Sequence, residues 1–159
     1  MSSDNEIKNV FVSHVHEDDS VLPELKDLLS KNGCEIRDGS IDSSKPNDAK
    51  NPDYIKAEIL APRIQWAGCV MVLISPDTHT SEYVDWEIEY AAKLGKRIVG
   101  VFARGAKDSD IPKNLELYGD ALVGWSGQTI VDAINGKTTG SVNADGSARP
   151  PRTIARYSC

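Results

Sequence analysis

The sequence is poor in the residues that staple or metallate small domains. Cysteine occurs three times, at Cys34, Cys69 and Cys159. An odd count without a CxxC pair implies neither a disulfide framework nor a zinc knuckle, and two core thiols plus one terminal thiol are expected. Histidine also occurs only three times, at His14, His16 and His79, too few for most multi-histidine metal sites. No apolar run approaches the ~20 residues of a membrane span. The opening Met-Ser-Ser-Asp-Asn-Glu is acidic and polar, unlike a signal peptide. Basic charge is scarce as well: 18 Lys and Arg stand against 24 Asp and Glu, a net charge of -6. That balance argues against broad binding to nucleic acid or anionic membrane, which needs a basic footprint, but leaves room for a local pocket that takes one phosphate pair. The expectation is a soluble, cytoplasmic protein that engages no nucleic acid and no membrane.

Glycine-rich phosphate loops are missing too. No GxGxxG follows an apolar run. Gly136-Lys137-Thr138 has the ending of a phosphate loop, but Val131 stands where its first glycine is needed. Gly124-Trp125-Ser126-Gly127-Gln128 lacks the last glycine of a nucleophile elbow, with Gln128 in its place.

What is present is an alternation. The chain has 159 residues, of which 40% are hydrophobic and 26% charged, ordinary for one globular domain. A chain of this length buries ~70% of its unfolded surface and needs no staple. Apolar runs stand at residues 10–12, 34–36, 69–74, 98–103 and 121–123. The third does not alternate, so both its faces are apolar, as in a central parallel strand covered on both sides. Helical stripes fill the gaps. Val21, Leu25, Leu28 and Leu29 share a face, with Asp19 or Ser20 to cap it and Asn32-Gly33 to close it. Asn51-Pro52 opens a second stripe through Ile55 and Ile59, which Pro62 should break or kink. Thr80 or Ser81 opens a third through Val84, Ile88 and Ala91, with Glu82 in its first turn and Gly95 at its end. A short helix fits between Ile111 and Tyr118, and Ser126 opens the last one, which Asn135-Gly136 stops.

Five such alternations imply a flavodoxin-like α/β fold: a five-stranded parallel sheet of order 2-1-3-4-5 with helices on both faces. In that order Cys34 and Cys69 lie ~10 Å apart across strand one, too far to bond. Residues 1–136 form the domain. Residues 137–159 form a polar basic C-terminal tail, which composition alone reads as flexible and which can dock on the body or on a neighbour. Residues 39–51 form a long polar loop after strand two, at the end of the sheet where ligands bind.

Two site patterns fall short. His14-Val15-His16-Glu17-Asp18 follows a strand as metal-dependent hydrolase motifs do, but those need further histidines and only His79 remains, so no metal is expected. A phospho-acceptor domain needs an aspartate ending strand three and a lysine ending strand five. Here Asp77 comes two places late, and Gly124-Trp125-Ser126 holds no lysine.

The most informative stretch runs from Ser75-Pro76-Asp77 to Trp86-Glu87, from the end of the central strand into the next helix. Glu87 lies in the second turn, three residues after Val84 and four after Tyr83, so it borders the buried stripe and stacks over Tyr83. A carboxylate beside a ring at the mouth of a cleft suits glycosidic chemistry. The ring packs on a base or ribose, while the carboxylate binds ribose hydroxyls and steadies an oxocarbenium-like centre. By spacing alone, the simpler reading of Glu87 is one more surface acid like Glu82, Asp85 and Glu89.

This stretch resembles the signature of TIR domains, Ser-x-Trp-x-x-x-Glu after a strand ending in Ser-Pro; here it reads Ser81-x-Tyr83-x-x-x-Glu87. Val10-Phe11-Val12-Ser13-His14 resembles the first strand of that family, and Gly33-Cys34-Glu35-Ile36-Arg37-Asp38 the second strand leading into its long BB loop. The likeness covers residues 8–125, about three quarters of the chain. With Trp86-Glu87-Ile88-Glu89-Tyr90-Ala91 and Lys96-Arg97-Ile98-Val99-Gly100-Val101 it is most similar to the stand-alone bacterial TIR-like proteins of Thoeris antiphage defence, the ThsB kind. The resemblance implies NAD+ processing, with NAD+ as substrate and no cofactor. Glu87 matches the glutamate that breaks the nicotinamide–ribose bond. Ser13 and His14 line the nucleotide cleft, and Tyr83 stacks where the family usually has tryptophan. It also implies a cyclic or conjugated ADP-ribose signal, a separate effector protein that the signal activates, and self-association through TIR contacts. The alternatives are a non-catalytic TIR–TIR adaptor module, since the fold alone does not confer catalysis, and a nucleoside deoxyribosyltransferase, which uses a glutamate on a similar sheet.

Overall fold

Short β-branched runs that are apolar on both faces extend and pair, and the amphipathic stretches between them cross back over the sheet as helices. A computed structural model of the chain describes residues 6–14, 20–38, 60–76, 78, 81–103, 105–137, 141–144 and 146–149. In it β1 (Glu6–Ser13), β2 (Cys34–Asp38), β3 (Cys69–Ile74), β4 (Arg97–Phe102) and β5 (Ala121–Val123) form one sheet in the order β2-β1-β3-β4-β5. Every pairing is parallel. The helices are α1 (Val21–Ser30), α2 (Ala61–Trp66), α3 (Glu82–Lys93), α4 (Lys113–Tyr118) and α5 (Gly127–Ile134), with a 3-10 turn at Asp108–Asp110. The architecture is the expected one, and β3, buried along its whole length, is its centre.

Strand parity divides the core in two. Val10 and Val12 of β1 join Met71, Leu73, Val99 and Val101 in a layer under α1 and α5. Phe11 joins Val70, Val72, Ile74 and Ile98 in a second layer under α2, α3 and α4. Gly100 sits on the second face of β4, because a Cβ there would come within 2.6 Å of the Leu122 side chain and 2.8 Å of Leu115. The missing side chain lets α4 lie close on the sheet.

Helix ends follow local chemistry. The Ser81 hydroxyl caps α3 by accepting the Val84 N–H at 3.2 Å. Gly33 and Gly95 come just after α1 and α3 with φ of +83° and +71°, a left-handed turn that side chains resist. Ser20 and Ser126 occupy the N-cap positions of α1 and α5 but make no side-chain cap bond. The expectation that Pro62 breaks or kinks the preceding helix turns on residues before Leu60, which lie outside the described residues. Pro62 itself stands in the first turn of α2 as described, after Leu60 with helical backbone angles. The stripe that starts at Asn51-Pro52 lies outside the described residues.

Cys34 pairs opposite Glu6 and Cys69 opposite Val10, so the thiols are offset by about 13 Å along the sheet as well as separated by β1. Both are buried thiols outside any disulfide, and burial pushes the Cys69 thiol up to about 12. Cys159 lies outside the described residues.

The described part of the polar tail docks on the body. Val142 N–H donates to the Leu122 carbonyl at 2.9 Å, and the Ser141 hydroxyl accepts the Leu122 N–H at 3.2 Å. Ala148 then pairs back on Val142, and Arg149 bonds Glu116 of α4 at 2.9 Å. The Ala144 N–H reaches Asp108 at 2.6 Å. Val142 and Ala144 pack on the second core layer. Among the described residues no helix is long and apolar enough to cross a membrane.

Candidate active site

Ser13 is the last residue of β1, held in register opposite Val72 of β3. Side chains alternate along a strand, so Ser13 shares the face of Phe11 and points toward α3 rather than α1. On α3, Val84, Ile88 and Ala91 are buried against that face. Glu87 falls three residues after Val84 and one before Ile88, so the helix carries its side chain inward at the edge of the apolar stripe.

The two side chains meet. The Ser13 hydroxyl donates to Oε1 of Glu87 at 2.5 Å, although the residues are 74 apart in the chain. Ser13 is 1% exposed and Glu87 6%. Among the α3 acids whose side chains are described, Glu87 alone is buried; Asp85 and Glu89 are half-exposed, and Glu89 pairs with Lys93 at 3.5 Å. Burial pushes the Glu87 carboxyl up from 4.5 to about 8, and the Ser13 hydroxyl, which favours the anion, only partly opposes this. Glu87 is thus mostly protonated at neutral pH in this state, and an approaching cation or a ribose hydroxyl can shift it to the anion.

The pair stands at the carboxyl ends of β1 and β3, where the chain leaves β1 toward one face through α1 and β3 toward the other through α3. That divergence is the switch point at which open α/β sheets form their ligand crevice. His14 follows Ser13, half-buried, with Nδ1 3.0 Å from the Val12 carbonyl. Tyr83, half-buried, lies one turn before Glu87 and packs on the second core layer. Trp86, beside Glu87 in sequence, is stacked on Tyr90 with ring centroids 5.0 Å apart.

Sequence reasoning passed over Thr78. Its Oγ1 accepts the Ser75 N–H at 2.9 Å and donates to the Leu73 carbonyl at 2.9 Å, with the Ser75 hydroxyl also 2.9 Å away. This buried knot ties the turn after β3 to the end of the strand. A serine followed three places later by threonine at a strand end was the available signal. Among the described residues no three His, Cys, Asp or Glu side chains gather as metal ligands. His16, His79, Asp77 and the long loop after β2 lie outside the described residues.

The fold has relatives among solved structures. The TIR domain of the Toll-related receptor TRR-2 from Hydra magnipapillata is 17% identical over 79% of this chain and 90% of that one, with a TM-score of 0.51. Looser likenesses are the CMP N-glycosidase BcmB of Clostridium botulinum (19% identity, 62% and 75% of the chains, TM-score 0.42) and the TIR domains of the activated Roq1 resistosome that recognises the pathogen effector XopQ (18%, 60% and 57%, 0.42). At 17% identity the likeness to the Hydra domain is one of fold. No curated protein sequence matches the chain. The family model described as Thoeris protein ThsB, TIR-like domain, matches residues 11–108, more than half of the chain and a span that holds both Ser13 and Glu87, so this chain belongs to that family.

Proposed function

We propose that this protein is an NAD+-processing enzyme that breaks the nicotinamide–ribose bond and turns the ADP-ribose part into a cyclic or conjugated signal for a separate antiphage effector. It acts in the cytoplasm and associates with further copies of itself through TIR contacts. The observation that carries the reading is the buried Glu87 carboxyl, held by Ser13 at the crevice end of the sheet. Burying an ionisable acid costs stability, and a module used only as an adaptor gains nothing from it.

In this reading Glu87 is the catalytic residue, with His14 and Tyr83 around the substrate and Ser13 bonded to Glu87 itself. The bond from ribose C1 to the pyridinium nitrogen breaks with its electron pair going to nitrogen, so neutral nicotinamide leaves. The positive charge passes to the ribose as an oxocarbenium-like centre. The Glu87 carboxylate stabilises that centre and hydrogen-bonds the ribose hydroxyls. A hydroxyl of the same ADP-ribose, or of another small acceptor, then attacks C1 and gives up its proton. The acting form is the anion, so kcat/KM should rise with pH and level off above about 8, where the carboxyl of the free enzyme is ionised.

The test is to incubate the protein with NAD+, follow nicotinamide release, and identify the ADP-ribose product by mass spectrometry. Glu87→Gln keeps the shape and can still accept from Ser13. It is expected to lower release by about 100-fold or more. Equal, nonzero release from both proteins would remove Glu87 from the role.

A further inference from the structure

We propose that Ser13 is a positioning residue: its hydroxyl, donated to Oε1 of Glu87, holds the carboxyl group in one orientation and leaves Oε2 as the oxygen that meets the sugar. The inference rests on the reading of Glu87 as catalytic, but it assigns Ser13 a task other than touching the substrate.

Three observations carry it. First, Ser13 is 1% exposed and its single hydroxyl proton is directed at Glu87. A side chain so placed has neither surface nor donor left for a dinucleotide. Second, the two ends of the bond differ in stiffness. Ser13 sits in the ladder between β1 and β3, where its backbone is fixed. Glu87 reaches it through three rotatable bonds from a helix, and its second oxygen bonds no described residue. One tether from a rigid strand therefore selects one rotamer and one free oxygen. Third, neighbouring hydroxyls are not equivalent donors. Thr78 has given its proton to the Leu73 carbonyl, and Ser75 lies against Thr78.

Among the described residues, the titratable groups on the elements that meet at Glu87 are His14 at the end of β1 and Tyr83, Asp85 and Glu89 on α3; the turn after β3 contributes the uncharged Ser75 and Thr78. The influences on the Glu87 carboxyl are burial and the Ser13 hydroxyl, so loss of that hydroxyl is expected to read out directly at Glu87.

The experiment has two arms on the full chain. In the first, no substrate is present. The Glu87 carboxyl carbon is titrated by NMR in protein labelled with 13C-glutamate, its resonance assigned by its absence from Glu87→Gln. Ser13→Ala is expected to move the midpoint upward, because the donor that favours the anion is gone, while Ser13→Thr keeps it near the wild-type value. In the second arm, nicotinamide release from NAD+ is measured. Ser13→Ala is expected to lower kcat by as much as about 100-fold with KM nearly unchanged, and Ser13→Thr to recover most of the loss. An unmoved midpoint in folded Ser13→Ala overturns the proposal. So does a raised KM with kcat intact, which would make Ser13 a substrate contact. Should Glu87→Gln turn over like the wild type, the catalytic reading fails by itself, and the titration still decides whether Ser13 governs the carboxyl.

Discussion

An acid on a helix surface costs nothing to keep ionised, whereas the same acid beneath the surface must shed its charge or find a partner. Glu87 does both in part, with one hydroxyl donor and a carboxyl pushed up to about 8. The consequence for stability has a definite sign. Below 4.5, the ordinary value, folded and unfolded chains both hold the proton. Between 4.5 and about 8 the folded chain keeps it and the unfolded chain does not, so stability falls as pH rises, by up to about 1.4 kcal/mol per unit. Above about 8 both are ionised and the loss is complete. Glu87→Gln has no such proton to lose. Urea unfolding of the two proteins is expected to show the variant more stable above pH 8, with the gap closing toward pH 5. A gap independent of pH would show that the side chain is not buried as an acid. Sequence placed Glu87 at the border of a buried stripe, through its spacing from Val84 and Ile88. It could not place Ser13 against it, because the bond joins residues far apart in the chain.

Elements meet where side chains are small enough to let them. Gly127 opens α5 where a Cβ would lie 2.0 Å from the Asn32 amide nitrogen and 3.2 Å from the Leu28 carbonyl oxygen. Asn32 itself is tied to that carbonyl at 2.8 Å, at the end of α1. Two tendencies compete in Gly127→Ala. Helix propensity favours alanine by up to about 1 kcal/mol, while overpacking against a tethered side chain and a backbone oxygen costs about 1–3 kcal/mol. The overpacking is expected to win, with a net loss of about 1 kcal/mol in denaturant unfolding. Adding Asn32→Ala is expected to return part of it, since the nearest obstacle is then removed. Two independent, additive losses would count against the contact. The elements themselves were legible: alternating faces and runs of apolar residues are local signals, and all five strands lie where those runs predict.

On the scale of the whole molecule, the edge of the sheet at β5 is covered by residues of the polar tail. Leu122 gives its N–H to Ser141 and its carbonyl to Val142, and Arg149 anchors the return strand to Glu116. An uncovered edge is a template for another chain. Val142→Pro removes the N–H that bonds Leu122 and is expected to lower stability by about 1–3 kcal/mol. Thermal unfolding should show a drop of several degrees, and sedimentation should show more self-association as the edge opens. Unchanged stability and association would mean that the tail rests on the edge without protecting it. Composition alone makes 137–159 look like a loose tail, because serine, glycine and asparagine carry no apolar pattern to announce docking. The partner that orders the described part of it is the backbone of another strand, which no residue type encodes.

By itself the sequence determined the five strands, the apolar stripes of the helices between them, and the place of Glu87 at the border of the stripe of Val84 and Ile88. These follow from periodicities of two and 3.6 residues, which act over a few neighbours. Only the tertiary structure decided that Glu87 is buried, that Ser13 is its donor, that Thr78 knots the turn after β3, and that the tail closes the sheet. Each of these depends on groups brought together across many residues, where the surrounding dielectric and the single available partner, rather than the local pattern, set the energy.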